Sequence, residues 1–493
     1  MEPPPSAVLV ALGASLLALG CGTMDLGPPE LGAVAAGKCA PLSIRPLVTR
    51  LEPGGVSAAE PAPAAPWTER PRRAPMGVDE RNTAHRDLEV EGSEQHEPVK
   101  LLRFTTDGEH LVAAGKRLRT SVWNLRTGRF LRAIEPTSEG PHSPWILALS
   151  PDGELVANRH GEDLELWSTV DGLLRARLGG HVKDSEYSEE LDSAAFSTDG
   201  AHVATGDELG TLRIFRAVDG RRVTSYDAPE GRLQALAWSP DDAYLASSSR
   251  GDATVRIRES RTGRLVSMLS TDGDEVHHLA FSANGLTLIA ADLFEELRVF
   301  DLRTCESREI GEWPPCHRFE DGSCGGVALY DVAISPDGRT ILGVFEGDGV
   351  VLWDALSGRR LLWLRLPPSD RAWAGAFSPD GRVFAVGTLG GVDLFRVDEA
   401  RRVAPLVRLV TLAGDSESAY VLDTAAEPYA TPEAPWPRAT GRYDAFGSGE
   451  AGLWCVVGRQ RLPMSACGQH LKLQGLLARR IARPLSGAGA LSP

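Results

Sequence analysis

The amino-acid sequence predicts an all-β fold in which seven copies of a four-stranded sheet are arranged radially as a seven-bladed β-propeller. A turn close to Ser-Pro-Asp-Gly occurs seven times, and a short apolar segment with a large last residue follows each turn at a nearly constant distance. One such sheet cannot bury its faces alone, whereas seven sheets around an axis bury each against its neighbours.

The turns mark the start of each repeat. Each is preceded by an aromatic or large apolar residue and followed by an apolar run. An Asp side chain in the turn can hydrogen-bond to the local backbone, and Gly tolerates a positive φ, so we interpret the repeated Asp as turn chemistry. The seven turns are TTDG (105–108), SPDG (150–153), STDG (197–200), SPDD (239–242), SANG (282–285), SPDG (335–338) and SPDG (378–381).

The second recurring motif is the apolar segment that follows. Its last residue comes 17 to 19 positions after the Ser or Thr of the turn in all seven repeats. A large apolar side chain at this position suits the contact between neighbouring sheets. The segments are SVW (121–123), LELW (164–167), LRIF (212–215), VRIR (255–258), LRVF (297–300), VVLW (350–353) and VDLF (392–395).

These repeats resemble those of the WD40 family. Trp353-Asp354 is similar to the Trp-Asp dipeptide of that family, Gly180-His181 to its Gly-His pair, and the RTGR and LSGR turns to its hairpin between the third and fourth strands. The resemblance covers residues 98–412 and implies a propeller with WD40 architecture. Most repeats lack the Gly-His pair, and Arg258 stands where an aromatic residue is usual, so the family's Asp-His-Ser-Trp network is not expected throughout.

The first residues predict export. Residues 7–20 form an apolar segment that is too short to span a bilayer and suits the core of a signal peptide. The segment ends in LALGC, which resembles a bacterial lipobox, so Cys21 is the predicted lipidation site and 1–21 the signal. Gly22 after this cysteine favours the outer membrane of a bacterial cell envelope, with membrane contact only through the lipid. A secreted or periplasmic protein with an ordinary cleaved signal, or a misassigned start codon, are the alternatives.

Six further cysteines form an even set, as expected where disulfides persist. Sequence proximity favours Cys316 with Cys324 and Cys455 with Cys467, which leaves Cys39 and Cys305 as the remaining pair. The chain lacks a C-x-x-C motif and a second pair of ligands at zinc-like spacing, so we expect no metal and no cofactor.

The positions of the repeats divide the chain after residue 21 into three predicted segments. Residues 22–97 are rich in Pro and Ala and read as a tether, in which residues 40–49 could form a strand. The propeller is predicted at 98–412, and 413–493 form a C-terminal extension. We expect this extension to pack on or beside the propeller as a cap; a docking module is the alternative.

Composition and motifs argue against nucleic-acid binding and catalysis. The net charge of −15 opposes a surface that follows phosphates, so nucleic acid is not an expected partner. The chain has no G-x-S-x-G, Walker A, H-E-x-x-H or EF-hand motif, and His277-His278 are expected at the surface or rim. We therefore predict a monomeric, non-enzymatic interaction scaffold, because a propeller presents rigid loops to partners. The alternative is an enzyme or small-ligand binder that uses the central channel.

The partner is expected at two long loops, HVKDSEYSEEL (181–191) and EWPPCHRFEDGSCGG (312–326). In a WD40-like blade they emerge on the same face as the loops between second and third strands, and both mix acidic and aromatic residues. A basic protein would be steered to such a face by charge and anchored by the aromatic rings; the alternative is that the loops are merely solvated. The predicted partner-binding residues are Asp184, Glu186, Tyr187, Trp313, His317, Phe319, Glu320 and Asp321. The loops between second and third strands add Glu162, Asp163, Asp207, Glu208, Asp252, Asp292, Glu295, Glu296, Glu346 and Asp348.

Overall fold

The structure is a computed structural model. It describes residues 40–42, 44–46, 88–90, 98–115, 119–134, 145–160, 163–180, 193–227, 231–271, 275–292, 297–310, 317–318, 324–325, 328–345, 349–366, 371–389, 391–411, 419–424, 433–435, 439–446, 453–457, 460–463 and 476–482.

Seven four-stranded antiparallel units follow one another along the chain, which confirms the predicted all-β seven-bladed propeller. A short strand, β1 (Leu88–Val90), precedes them. Blade 1 contains β2 (Val99–Phe104), β3 (His110–Gly115), β4 (Thr120–Asn124) and β5 (Arg129–Ile134). Blade 2 contains β6 (Trp145–Leu149), β7 (Leu155–His160), β8 (Asp163–Ser168) and β9 (Leu174–Leu178). Blade 3 contains β10 (Ser193–Phe196), β11 (His202–Gly206), β12 (Thr211–Arg216) and β13 (Arg222–Asp227).

The remaining four blades continue the pattern. Blade 4 contains β14 (Leu233–Trp238), β15 (Tyr244–Ser249), β16 (Thr254–Glu259) and β17 (Leu265–Ser270). Blade 5 contains β18 (His278–Phe281), β19 (Thr287–Ala291), β20 (Leu297–Asp301) and β21 (Ser307–Glu309), and a hairpin of β22 (His317–Arg318) and β23 (Cys324–Gly325) follows it. Blade 6 contains β24 (Leu329–Ile334), β25 (Thr340–Phe345), β26 (Gly349–Asp354) and β27 (Arg360–Arg365). Blade 7 contains β28 (Ala372–Phe377), β29 (Val383–Thr388), β30 (Gly391–Val397) and β31 (Val403–Thr411).

The first strand of each blade lies closest to the axis, and these strands contact one another in order around the ring. The ring closes where β2 of blade 1 meets β28 of blade 7. All four described strands of blade 1 come from 99–134 and those of blade 7 from 372–411. Closure between these two blades therefore depends on side-chain packing rather than on a strand shared by both ends of the chain.

The large residues that end the apolar segments fill the contacts between blades, as the sequence predicts. Trp123 packs in a cluster with blade 7, Trp353 with blade 5, and Phe395 with blade 6; each is at most 1% exposed. Burial of these aromatic side chains supplies much of the apolar area that holds the neighbouring blades together at these seams.

Arg258 is buried at the seam between blades 3 and 4, in the position that an aromatic residue occupies elsewhere. Its guanidinium donates a hydrogen bond to Ser247 Oγ at 3.1 Å. Tyr226 lies close enough for the charge of Arg258 to act on it, although burial is the larger effect and raises the pKa of Tyr226 to about 12. The arginine is therefore accommodated by hydrogen bonding, and the adjoining cluster supplies the apolar packing of this seam.

C-terminal strands extend the last two blades. β32 (Ala419–Thr424) and β34 (Ala439–Phe446) add to the outer edge of blade 7, and β33 (Glu433–Pro435) pairs in parallel with β27 of blade 6. β35 (Leu453–Val457) pairs with β1 and with β36 (Gln460–Pro463). A seven-residue helix, α1 (Leu476–Ala482), inserts Leu476 and Leu477 into the cluster shared by blades 1 and 7.

The segment 40–46 lies against blades 4 and 5, and its described residues form no strand. The Leu42 N–H donates to the Leu302 carbonyl at 2.8 Å, and Ile44, which is 8% exposed, packs into the cluster of these two blades. The Arg45 N–H donates to Asp241 Oδ2 at 3.0 Å. Part of the predicted tether is thus bound to the propeller, and strand β1 is a second element within it.

Candidate functional site

The antiparallel order of each blade gives the propeller two different faces. The turn face carries the connections between first and second strands and between third and fourth strands. The loop face carries the connections between second and third strands and those that lead from one blade to the next. Each face presents different chemistry, and the comparison decides where a ligand could bind.

The repeated carboxylates on the turn face accept hydrogen bonds within their own turns. In each repeat the Ser or Thr hydroxyl donates to the Asp or Asn side chain two residues later, for example from Ser150 to Asp152 at 2.5 Å and from Ser335 to Asp337 at 2.6 Å. The same Asp oxygen accepts the backbone N–H two residues further on, as Asp337 does from Arg339 at 3.0 Å. The repeated aspartates therefore stabilise hairpins, which is the role predicted for them.

Some turns also bind the turn of the next blade. Asp242 adopts a φ of 56°, in the position where most repeats have Gly. Its carboxylate accepts the N–H groups of Thr198 and Asp199 from blade 3 at 2.6 and 3.0 Å. The Thr106 N–H donates to the Pro151 carbonyl in the same manner at 3.1 Å. These polar groups of the turn face thus form hydrogen bonds that fix the angle between neighbouring blades.

A groove of about 830 Å³ lies between blades 6 and 7 on the turn face. Three of its arginines have partners within the protein: Arg402 Nε lies 2.7 Å from Asp398 Oδ2, and Arg401 is hydrogen-bonded to Asp354. Arg396 donates to two carbonyls at the end of α1. These arginines therefore stabilise a hairpin of blade 7, join it to blade 6 and hold the helix.

The central channel near the turn face is lined mainly by apolar residues, and polar atoms also contribute to its surface. A cavity of about 410 Å³ is lined by the residues that precede the turns, among them Phe196, Trp238, Phe281 and Phe377. Arg103 also lines it; its guanidinium donates to the Leu149 carbonyl at 3.3 Å, and burial lowers its pKa. None of the described residues that line this cavity is a carboxylate or a histidine. General acid–base chemistry would need such groups close to a bound substrate.

The other end of the channel carries an aromatic cluster. Lys100, Tyr330 and Trp373 come from the loop-face ends of β2, β24 and β28, and all three are half-buried. The ammonium of Lys100 lies 4.8 Å from the ring centroid of Trp373 and 5.7 Å from that of Tyr330. The channel therefore opens onto the loop face between two aromatic rings and a cation. We call these three residues the mouth cluster.

Two titratable side chains beside the mouth cluster form hydrogen bonds between the first strands of neighbouring blades. His278 Nε2 lies 3.1 Å from the Leu329 carbonyl, and burial lowers the pKa of His278 to about 4, so the neutral ring donates this hydrogen bond. Asp331 accepts the Gly375 N–H from blade 7 at 2.8 Å, and burial raises the pKa of Asp331 to about 7. Both groups link neighbouring blades, so their shifted pKa values have a structural explanation.

Several carboxylates that the sequence assigns to an acidic loop face are paired with arginines. Asp207 Oδ2 lies 2.5 Å from Arg213 Nη1, with both side chains at most 7% exposed. Asp252 pairs with Arg256 at 2.6 Å in the next blade. These two carboxylates therefore add little net charge to the surface. Glu162, Glu295, Glu296, Glu346 and Asp348 lie outside the described residues, so the acidic character of the whole face stays a prediction.

The predicted partner-binding residues fall largely outside the described part of the chain. Asp184, Glu186, Tyr187, Trp313, Phe319, Glu320 and Asp321 lie outside the described residues, as do Cys21, Cys316 and Cys467. The backbone of His317 and Cys324 is described in the hairpin β22–β23, where Arg318 pairs with Cys324, and that of Cys455 is described in β35. The predicted disulfides and the predicted binding residues therefore stay predictions.

Within the described ranges, no three His, Cys, Asp or Glu side chains come together in a way that could hold a metal ion. Among the same residues, no helix combines the length and apolar character needed to cross a bilayer.

Comparison with known proteins decides the type of propeller. The family profile described as "Anaphase-promoting complex subunit 4 WD40 domain" matches residues 203–284, which span blades 3 and 4 and the beginning of blade 5. The fold is a seven-bladed β-propeller of WD40 type.

Similar curated proteins include three from eukaryotes. The chain is similar to "Nuclear distribution protein nudF" of Emericella nidulans, with 26% identity over 35% of the chain and 42% of that protein. It is also similar to "Periodic tryptophan protein 2 homolog" of Dictyostelium discoideum, with 25% identity over 56% of the chain and 31% of that protein. A third relative is "SIR4-interacting protein SIF2" of Saccharomyces cerevisiae, with 21% identity over 43% of the chain and 40% of that protein. The matched regions span less than half of each of these relatives.

The WD40 propeller contains a set of ion pairs that the sequence-based reasoning missed. The second residue of the apolar segment is charged in five blades, and each such residue has a polar partner within its own blade. Examples are Glu165 with Arg177 at 3.0 Å and Asp393 with Arg408 at 2.8 Å. The signal was present in the sequence, because Glu165, Arg213, Arg256, Arg298 and Asp393 occupy equivalent positions.

Proposed function

We propose that this protein is a non-enzymatic interaction scaffold that binds a protein partner through its loop face and is anchored by an N-terminal lipid in a bacterial cell envelope. WD40 propellers are typically protein-interaction scaffolds, and one relative is named for interaction with another protein, SIR4. The observation that carries the proposal is the difference between the two faces. Residues 40–42 and 44–46 cover the turn face at blades 4 and 5, and α1 covers it at blades 1 and 7, whereas the loop face presents the mouth cluster.

The mouth cluster supports a protein partner because it combines two rings with a cation. Tyr and Trp supply large contact areas and are enriched among residues that dominate binding energy at interfaces. The long loop of 312–326 enters blade 6 just before Tyr330, so Trp313 and Phe319 belong to a connection that leads directly to this cluster. We propose that the partner contacts these loop residues together with the mouth cluster.

The two long loops support a partner of basic character. Residues 181–191 contain four acidic residues and one lysine, and 312–326 contain three acidic residues and one arginine. Such loops would increase the rate of encounter with a basic surface, and salt would reduce that rate.

The described part of the channel gives no specific support to the alternative of a channel enzyme. The cavity near the turn face is lined mainly by apolar residues and Arg103. The acid and the base nearer the loop face, Asp331 and His278, are each hydrogen-bonded to the backbone of a neighbouring blade.

Alanine substitution of Trp313 and Phe319 together is expected to weaken partner binding at least tenfold, because removal of an aromatic anchor typically costs 2 kcal/mol or more, about thirtyfold in affinity. The partner is first identified by affinity capture from envelope fractions with mass spectrometry, and its affinity for each purified variant is then measured. Arg221→Gln is the matched control, because Arg221 is exposed on the turn face. Full retention of binding by the double variant, with loss in the control, would place the interface on the other face.

Lipid attachment has a separate test. Metabolic labelling with a palmitate analogue is expected to mark the wild-type chain and not Cys21→Ser, because the thioether to lipid requires the thiol of that cysteine. Cys316→Ser serves as the control and should retain the label. Equal labelling of the wild type and Cys21→Ser, or an absence of label from the wild type, would contradict the anchor without affecting the proposed interface.

A further inference from the structure

The hairpin between the third and fourth strands of blade 5 contains a cysteine in a glycine position. Five blades have Gly at this point, such as Gly263 with φ of 72° and Gly358 with φ of 73°. Cys305 occupies it in blade 5 with φ of 62°, and its N–H donates to the Asp301 carbonyl at 2.8 Å as in the other hairpins. A side chain in this left-handed region is sterically unfavourable.

The thiol of Cys305 is engaged in a disulfide. This bond gives the non-glycine residue a role that offsets its unfavourable backbone conformation. The question is which of the remaining cysteines supplies the second sulfur atom.

The segment 40–46 lies beside this hairpin. The Leu42 N–H donates to the carbonyl of Leu302, three residues before Cys305, at 2.8 Å. The Ala40 N–H donates to Ser267 Oγ on the outer strand of blade 4 at 3.1 Å. The segment therefore runs inward from the outer rim, past the blade 5 hairpin, to the buried side chain of Ile44 at the seam.

We propose that Cys39, the residue immediately before Ala40, is the disulfide partner of Cys305 and that this bond clips the N-terminal segment to blade 5. Cys39 itself lies outside the described residues. It is three residues from Leu42, and Leu302, whose carbonyl accepts the Leu42 N–H, is three residues from Cys305, so the described contact brings the two chain segments together at equal sequence distances from the two cysteines. A disulfide requires Cα atoms about 4.4 to 6.8 Å apart. The bond forms when each thiol gives up one proton and one electron. A protein disulfide of an oxidising compartment accepts both pairs and is reduced to a dithiol.

The clip would have two consequences. It closes a covalent loop that includes blades 1 to 4 and most of blade 5, so it restricts the unfolded chain strongly. It also fixes the point where the N-terminal chain leaves the propeller, at the rim of the turn face. The inference concerns the fold and the redox compartment, so it stands whether or not Cys21 carries a lipid and whichever partner binds.

Peptide mapping of the full-length protein tests the connectivity. Trypsin under non-reducing conditions, after free thiols are alkylated, should release one species in which peptide 39–50 is linked to peptide 304–308. Reduction should convert it into the two separate peptides. An alkylated, unlinked peptide 304–308 would overturn the proposal, as would its linkage to peptide 309–318, which contains Cys316, or to peptide 319–339, which contains Cys324.

Substitution of either cysteine provides a second test, which measures thermal stability. Cys39→Ser and Cys305→Ser should lower the melting temperature by equal amounts, and the double variant should lower it no further, because either change removes the same bond. Cys305→Gly should lose less than Cys305→Ser, since Gly relieves the left-handed backbone. Additive losses in the double variant would show that the two cysteines act separately and would overturn the pairing.

Discussion

Arg408→Ala is expected to lower the free energy of unfolding by about 3 to 5 kcal/mol, which is the range for removal of one partner from a buried ion pair. Asp393 and Arg408 lie opposite each other on β30 and β31 of blade 7. Arg408 Nε lies 2.9 Å from Asp393 Oδ1, and Arg408 Nη2 lies 2.8 Å from Oδ2. The carboxylate is 1% exposed, so the variant leaves a buried negative charge without its bidentate donor. Urea unfolding of the variant and the wild type measures the loss.

The control is an ion pair of the same residue types at the surface. Arg175 and Asp171 are 2.5 Å apart but about 40% exposed, so Arg175→Ala should cost far less stability than Arg408→Ala. The double variant Asp393→Leu/Arg408→Leu should recover much of the stability, because an apolar pair needs no desolvation of charge. Equal effects of Arg408→Ala and Arg175→Ala would contradict the importance of burial at this pair.

The architecture was predictable because its signals are local and repeated. The turn at 335–338 and Trp353 belong to one hairpin-rich repeat, and seven copies of that spacing average out the irregularities of single blades. Arg258 illustrates the tolerance of the pattern, since hydrogen bonding to Ser247 allows a charged residue at an aromatic position. A repeat can therefore lose its most recognisable residue and still form the expected strand.

The packing of the two flanks could not be predicted in the same way. The described residues of 40–46 form no regular element, and their backbone N–H groups donate hydrogen bonds to residues that are roughly 200 to 260 positions away in sequence. Strand β33 has three residues and pairs in parallel with β27, an arrangement that neither periodicity nor composition encodes. Such contacts depend on the assembled propeller, so only the structure reveals them.

The candidate interface, too, could be predicted from the sequence only in part. A count of acidic residues does not show which of them pair with arginines of the same blade, as two carboxylates of the loop face do with Arg213 and Arg256. The mouth cluster was missed because Lys100, Tyr330 and Trp373 come from three strands that meet only when the ring closes. An equivalent position in each first strand was the available signal, and it becomes informative once the blades are aligned.

Leu477→Asp is expected to be the most destabilising single change of those considered, with a loss of about 4 kcal/mol or more in the free energy of unfolding. Leu477 is fully buried in the cluster formed by Trp123 and Phe130 of blade 1 and Val407 of blade 7. These blades are first and last in the chain, and α1 lies where the ring closes. A carboxylate at this position would separate the helix from both blades. Chemical denaturation with fluorescence detection measures the loss.

Two controls distinguish the seating of α1 from general sensitivity to mutation. Arg479→Asp introduces the same side chain on the exposed side of the helix and should change stability by less than about 1 kcal/mol. Gly128→Ala and Gly251→Ala both add a methyl group at φ of 70°, but the added Cβ at 128 would lie 2.6 Å from the Ala478 nitrogen, whereas that at 251 would meet no atom within 4 Å. Gly251→Ala should therefore cost only the roughly 1 kcal/mol of left-handed strain, and Gly128→Ala should cost clearly more because it also displaces α1. Once Leu477→Asp has released the helix, the two alanine substitutions should become equivalent; if they differ as before, α1 does not close the ring through its contact with blade 1.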